Sequence, residues 1–152
     1  MERFINFDLT KVYTSADLDT PSVMERFTDA SGNKYVFLTG VASTVVGSVV
    51  TYDEAGVSTL LVANAIGPVA IAMALTVAST SGWYMTEGST SGKVSASFAD
   101  NGNCYATATA GQVDDAVVAG DRVKNMIGRS AISGGLATLQ IWSPFMDDGL
   151  SA

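Results

Sequence analysis

The clearest pattern of hydrophobic and polar positions runs from Val69 to Val77, where large apolar side chains alternate with small ones. The odd positions carry Val, Ile, Met, Leu and Val, and the even positions carry Ala, Ala, Ala and Thr. A period of two is typical of a β-strand, because successive side chains point to opposite faces. We therefore predict a central strand over 69–77, with buried odd residues and a small even face that another backbone can approach closely.

The residues on either side of this segment predict where the strand begins and where the chain turns back. Gly67-Pro68 opens the strand, since proline has no N–H to donate and is tolerated at a strand's first residue. A run of small polar residues then ends in Gly82, so Trp83-Tyr84-Met85 is predicted to begin the return strand. Further strands are predicted where β-branched and aromatic residues cluster or alternate, at 35–38, 49–52, 93–98, 104–110 and 136–142. Residues 59–64 fit either a strand or one short helical turn.

The last predicted strand, Leu136 to Trp142, should place Ala137, Leu139 and Ile141 inward, and Pro144 should close it. The turns between strands are marked by short polar residues and glycine. Residues 29–33 and 53–56 each begin with Asp and contain Gly, a combination that favours turns.

Asp100-Asn101-Gly102-Asn103 is the strongest local signal, because Asn-Gly supplies the positive φ angles that a type I′ hairpin needs. We predict that it joins strand 93–98 to strand 104–110. Residues 45–50 and 117–123 both place a glycine between valine-bearing segments, as tight turns into barrel strands would.

Residues 1–34 differ from the rest of the chain. They hold four of the eight basic residues, and their aromatic residues show no sustained alternation. We interpret this stretch as an extended N-terminal arm, with a β-domain over 35–146 and a short polar tail over 147–152 after it. The fold class predicted is all-β, with a single compact barrel-like or sandwich-like domain. The alternative for residues 1–34 is a first strand plus loops packed on the same domain.

Charge narrows the classes of partner. The net charge of −7 argues against binding to nucleic acid or an anionic membrane, since those surfaces repel carboxylates. Only 15% of the residues are charged, against about 25% in average domains, so small residues cover much of the surface. Such a surface is easily buried against another protein.

Few residues are candidates for catalysis or metal binding. The sequence has no histidine, which excludes Ser-His-Asp and Cys-His groups and histidine zinc sites. The single Cys104 rules out an internal disulfide and is expected to act as a small buried hydrophobe. The acidic pairs at 53–54, 114–115 and 147–148 join neighbours that point opposite ways on a strand, so turn and surface roles are predicted. We expect no enzyme activity, no cofactor and no metal.

Residues 1–6 lack the charged-then-apolar pattern of a signal peptide. The apolar region 57–77 is interrupted by polar residues, glycine and proline, so a membrane span is not expected. Together with the single cysteine, this indicates synthesis in a reducing cytoplasm.

Glycine placement and apolar texture over residues 35–145 suggest a family. The relevant segments are Gly47 to Tyr52, Gly67 to Ala72, Gly82-Trp83-Tyr84 and Gly120 to Val123. In these segments the chain resembles the small head decoration, or cement, proteins of tailed bacteriophages. The resemblance implies a β-barrel-like module on the outside of an assembled capsid, often as trimers, with an N-terminal arm that can reach the shell. It implies no active site.

From this resemblance we expect a structural virion protein on the outer capsid surface, made in the host cytoplasm, with the major capsid protein and its own copies in a homotrimer as partners. The candidate residues for contact with the capsid or between subunits are aromatic, aliphatic or basic: Phe4, Ile5, Phe7, Tyr13, Trp83, Tyr84, Arg122, Lys124 and Trp142. The alternative is a β-rich phage fibre, tail or receptor-binding module that binds a host glycan through exposed aromatic residues such as Trp83 and Trp142.

Overall fold

The computed structural model describes residues 7–147, and this part of the chain contains ten β-strands and no helix. The strands are β1 (Arg26–Thr28), β2 (Lys34–Thr39), β3 (Val49–Tyr52), β4 (Ser58–Leu60), β5 (Gly67–Ala72), β6 (Ser81–Lys93), β7 (Asn103–Ala106), β8 (Val113–Asp114), β9 (Arg122–Gly128) and β10 (Leu136–Met146). The predicted all-β fold is confirmed.

All ten strands belong to one antiparallel sheet, in which eight follow the order β1-β2-β6-β5-β10-β9-β7-β8. The β3–β4 hairpin joins this order through β3, which pairs with β5. β6 also pairs with β10. The sheet is not closed into a barrel, because β1 and β8 lie at opposite ends of the strand order. The compact domain is therefore an open sheet folded around its core.

The length of β6 lets the sheet fold over. Its first half pairs with β2 and β5, and its second half, from Glu87 to Lys93, pairs with β10. The change of partner occurs beside Gly88, which has a φ of 131°. A Cβ on Gly88 would lie 2.3 Å from the Asn33 side-chain oxygen, so only glycine fits this crossing point.

β5 lies at the centre of the fold, as the alternation predicts, and pairs with β3, β6 and β10. Both of its faces are covered. Val69 and Ile71 belong to the main hydrophobic cluster, whereas Ala70 and Ala72 belong to a second cluster on the opposite face. The small face of the strand therefore packs against other residues, as expected.

The predicted end of this strand is wrong, because β5 stops at Ala72. Beyond it, Leu75 is 52% exposed and Val77 is also exposed, while Thr76 is fully buried. The Thr76 hydroxyl is hydrogen-bonded to the Tyr84 hydroxyl. The Thr76 carbonyl occupies the space that a side chain on Gly40 would need. Because Thr76 packs inward, the even-numbered face is the buried one at this point, whereas the local pattern predicts that the odd-numbered face is buried.

The two Asp-containing turns form as predicted, with similar hydrogen bonds. Asp29 Oδ1 accepts the backbone N–H groups of Ser31 and Asn33 in the turn between β1 and β2. Asp53 Oδ1 accepts those of Ala55 and Val57 in the turn between β3 and β4. The aspartates therefore fix two hairpin turns.

The hairpin predicted around residues 100–103 is wrong, although Asn101 does adopt a positive φ of 62°. β6 ends at Lys93, and β7 pairs with β8 and β9 instead. Between them the chain leaves the sheet and Phe98 is buried. A Cβ added to Gly128 would lie 2.6 Å from the Phe98 ring, so the ring occupies the space beside this glycine. Core packing, rather than the turn signal, sets the path here.

β10 confirms the inward positions of Ala137, Leu139 and Ile141, all of which are buried. Pro144 does not close the strand, which continues to Met146. The register shifts between Ile141 and Phe145, and Ser143 in this interval has a φ of 51°. Proline is tolerated inside a strand at such an irregularity.

The described part of the predicted arm packs against the domain. The Tyr13 N–H donates to the Ser81 carbonyl over 2.8 Å, and the Ser81 N–H donates back over 2.9 Å. Phe7 contacts Trp83 with ring centroids 4.9 Å apart. Residues 26–28 form β1 and pair with β2. A first strand plus loops packed on the same domain therefore describes residues 7–34, because their aromatic rings pack against the core.

The two glycine-containing valine segments form matching tight turns, one before β3 and the other before β9. Gly47 and Gly120 both have a φ of 88°. The Ser48 N–H donates to the Val45 carbonyl, and the Asp121 N–H donates to the Val118 carbonyl. Glycine is needed in each turn because residues with side chains rarely adopt this φ.

Candidate functional site

Two adjoining cavities form a groove on the surface where β1, the β3–β4 hairpin, the start of β5 and the end of β10 meet. Their volumes are about 610 and 620 Å³. Both are lined by Arg26, Tyr52, Ile66, Gly67 and Pro68. We call this feature the Ile66 groove.

Large apolar side chains are exposed in the groove. Ile66 is 69% exposed, just before Gly67 enters β5 with a φ of 124°. Phe145 is 39% exposed and lies opposite Pro68 in the pairing of β10 with β5. Trp142 is 41% exposed on β10 just outside the groove, next to Ser143, which lines one of the cavities. Exposed apolar side chains that adjoin a groove are typical of a surface that binds another molecule.

Charged residues of both signs line the groove. Arg26 lines both cavities, with Asp53 and Glu54 in one and Asp147 in the other. Lys124 forms an ion pair with Asp147, and its ammonium nitrogen lies 5.8 Å from the centroid of the Phe145 ring. An apolar floor with charges around it can hold a partner by burial and polar contact.

Several residues predicted to touch a partner lie inside the domain instead. Trp83 and Tyr84 are fully buried, and Tyr13 is almost so. Phe7 is partly buried against the core. The rings of Phe7, Tyr13 and Trp83 belong to one aromatic cluster with Phe27 and Phe37. These side chains hold the domain together, and of the four predicted contact residues only Phe7 keeps an appreciable part of its surface accessible to a partner.

The other predicted residues are more widely spread. Lys124 and Trp142 adjoin the Ile66 groove through β9 and β10. Arg122 is also on β9, but its guanidinium donates to the Asn103 side-chain oxygen on β7. Phe4 and Ile5 lie outside the described residues.

Sequence reasoning missed the groove residues themselves, Arg26, Tyr52, Ile66, Pro68 and Phe145. One signal was present, because Pro68 and Pro144 were both interpreted as strand boundaries. In the structure, the strand segments that carry these prolines lie side by side. The exposed Phe145 of the groove follows Pro144 in the chain and lies opposite Pro68 in this pairing.

Other candidate groups have no reactive geometry in the described part of the chain. Burial raises the pKa of Cys104 to about 12, so its thiol stays protonated at neutral pH. No group of three or more His, Cys, Asp or Glu residues within 7–147 is placed to hold a metal ion. In the described part of the chain, no helix is long and apolar enough to cross a membrane.

The chain matches no protein-family model, no curated protein and no solved structure.

Proposed function

We propose that this protein is a structural virion protein that binds the outer surface of an assembled phage capsid and stabilises it. The partner is the major capsid protein, and the protein acts as a homotrimer. The observation that carries the proposal is the Ile66 groove, where Ile66 and Phe145 are exposed. Burying such side chains against a partner is worth about 25 cal/mol per Å² of apolar area.

Binding of this kind stabilises a shell without chemistry. A protein that binds the assembled lattice and not its free subunits shifts the assembly equilibrium toward the lattice. Each bound copy adds its own contribution, and a trimer that contacts three sites also gains from effective concentration. The net charge of −7 fits an outer surface, since packaged nucleic acid repels carboxylates.

The second candidate is a fibre or receptor-binding module that stacks a host glycan on exposed aromatic rings. Of the two tryptophans that it would use, Trp83 is fully buried and only Trp142 is exposed. A single exposed indole offers less stacking surface than the proposed pair, and this favours the capsid proposal.

Co-sedimentation tests the proposal directly. The purified protein is mixed with shells of the encoding phage that lack it, and the bound fraction is measured across protein concentrations. Ile66→Ser and Phe145→Ser should each weaken binding by at least tenfold, because each removes an apolar contact from the groove. The matched control is Leu75→Ser, which changes an exposed apolar residue outside the groove.

Failure of the wild-type protein to bind any shell, or equal binding by all three variants, would overturn the proposal. Binding of wild-type protein to immobilised host glycans, lost in Trp142→Ala, would favour the second candidate.

A further inference from the structure

A smaller pocket of about 320 Å³ lies away from the Ile66 groove. The loop after β4, strand β7 with the residues after it, and the segment from β8 to the turn before β9 form its walls. Two carboxylates and four alanine methyl groups line it: Asp114, Asp121, Ala63, Ala106, Ala108 and Ala116. Asp121 is buried and Asp114 is half-buried, and small apolar walls beside a buried acid are unusual, since buried carboxylates are normally paired.

Asp121 is the buried acid of this pocket. It is only 5% exposed, and its Oδ1 accepts the Asn64 backbone N–H over 2.6 Å. The tight turn at Gly120 and the hydrogen bond from the Ala106 N–H to the Asp121 carbonyl fix its backbone. Within residues 7–147, no group donates a hydrogen bond to Asp121 Oδ2 and no cation pairs with the carboxylate. Half of its acceptor capacity is therefore left for a ligand.

Asp114 supplies the second charge. It lies on β8 opposite Tyr105, and within residues 7–147 its Oδ1 accepts only the N–H of its neighbour Asp115. Among the described residues it has no cationic partner. Val117 and Val118 are exposed beside the pocket, and Val118 also lines it. The pocket thus combines two negative charges with an apolar rim.

We propose that this pocket is a socket for a lysine side chain of a protein partner. The ammonium group lies between Asp114 and Asp121, and its methylene groups pack against the alanine methyl groups. A calcium ion takes six to eight oxygen ligands, whereas alanine side chains supply none, so the walls favour an organic cation. The inference rests on the proposed function only in naming the partner, which is then the capsid shell.

A lysine analogue tests the socket without any capsid. Nα-acetyl-lysine methylamide, whose side-chain ammonium group is free, is titrated into the ¹⁵N-labelled full chain. The amide signals of Asn64, Ala106 and Asp121 are followed by NMR. We expect saturable shifts with this probe and none with N-acetyl-norleucine methylamide, which has the same apolar stem but no charge.

Asp121→Asn is the decisive variant, because it keeps an oxygen for the Asn64 N–H while removing the charge. It should weaken binding of the lysine probe at least fivefold, and Asp114→Asn provides a second variant. Asp100→Asn makes the same charge change in an exposed turn and should bind like wild type. The absence of saturable shifts, equal shifts with norleucine, or wild-type binding by both Asp114→Asn and Asp121→Asn would overturn the socket.

Co-sedimentation with shells then separates the two proposals. Weaker shell binding by Asp121→Asn than by Asp100→Asn supports a shell lysine in the socket. If wild type binds shells and Asp121→Asn binds equally well, the shell does not supply the lysine and that assignment is wrong. If the lysine probe binds but wild type binds no shell, the proposed function fails while the socket itself stands.

Discussion

Asp29 uses both carboxylate oxygens to hold the β1–β2 turn. Oδ1 accepts two backbone N–H groups, and Oδ2 accepts the Asn33 side-chain N–H and the Tyr35 hydroxyl over 3.0 and 2.9 Å. Burial acts to raise the pKa of Asp29, but the hydrogen bonds outweigh it and hold the pKa below its usual value. Burial, helped by the bond to Asp29, raises the pKa of Tyr35 to about 12.

These shifts predict how stability depends on pH. The pKa of Asp29 is lowered on folding, so its contribution is present above the unfolded pKa and is lost as pH falls through the folded one. The pKa of Tyr35 is raised from 10.0, so its contribution is present below pH 10 and is lost as pH rises toward 12. Asp29→Asn should flatten the acid side of the stability profile, and Tyr35→Phe should flatten the alkaline side.

Urea unfolding at a series of pH values measures both effects. Asp100→Asn serves as the control for loss of one exposed carboxylate and should keep the wild-type profile. Unchanged acid dependence in Asp29→Asn would show that this turn does not carry the effect.

At the scale of elements, the local pattern predicted strands correctly where other residues pack on both faces of the strand or on its inner face. The predicted segments 49–52, 83–85 and 136–142 all lie within strands. It failed where one buried side chain redirects the chain, as Thr76 does after β5 and Phe98 does after β6. Such burial depends on glycines distant in sequence, at Gly40 and Gly128, and no local window contains both partners.

The Ile66 groove was beyond prediction for a similar reason. Its residues come from five separate segments, and the pairing of Phe145 with Pro68 brings two of them together. The pairing of β10 shifts register near Ser143, which adopts a positive φ. Glycine, the usual sequence marker of a positive φ, is not present at this position. The acidic pair at 114–115 is separated as predicted, since the Asp115 carboxylate accepts the Ala99 N–H while Asp114 lines the pocket of Asp121.

The N-terminal stretch gives a prediction at this scale. The Tyr13 ring packs edge-on against Phe37 at 5.2 Å, and its backbone pairs with Ser81. Tyr13→Ala should therefore lower the free energy of unfolding by about 3 kcal/mol, as large-to-small changes in a core do. Leu18→Ala, at a fully exposed position in the same stretch, should change it by less than about 0.5 kcal/mol.

Denaturant unfolding of the two variants provides the measurement. Equal stability of Tyr13→Ala and Leu18→Ala would mean that the stretch is detached from the domain in solution, as an extended arm would be.

At the scale of the whole molecule, the low charge content and the exposed apolar residues bear on assembly. Trp142 is 41% exposed on β10, which lies at the centre of the strand order. Tryptophan is enriched at protein interfaces relative to the rest of the surface, and it is common among the residues that contribute most of the binding energy near an interface's centre. We expect Trp142 to lie between subunits of the proposed homotrimer, while Ile66 and Phe145 face the shell.

Light scattering across a concentration series should give three times the monomer mass for the wild-type protein, and Trp142→Ser should shift the equilibrium at least tenfold toward monomer. Because Trp83 is already buried within each copy, a blue shift of the tryptophan emission on association would come from Trp142. Leu75→Ser, which also removes an exposed apolar side chain, should leave the trimer intact. A wild-type protein that stays monomeric at high concentration, with single copies on the shell, would contradict this prediction, since its exposed indole would then face only solvent or the shell.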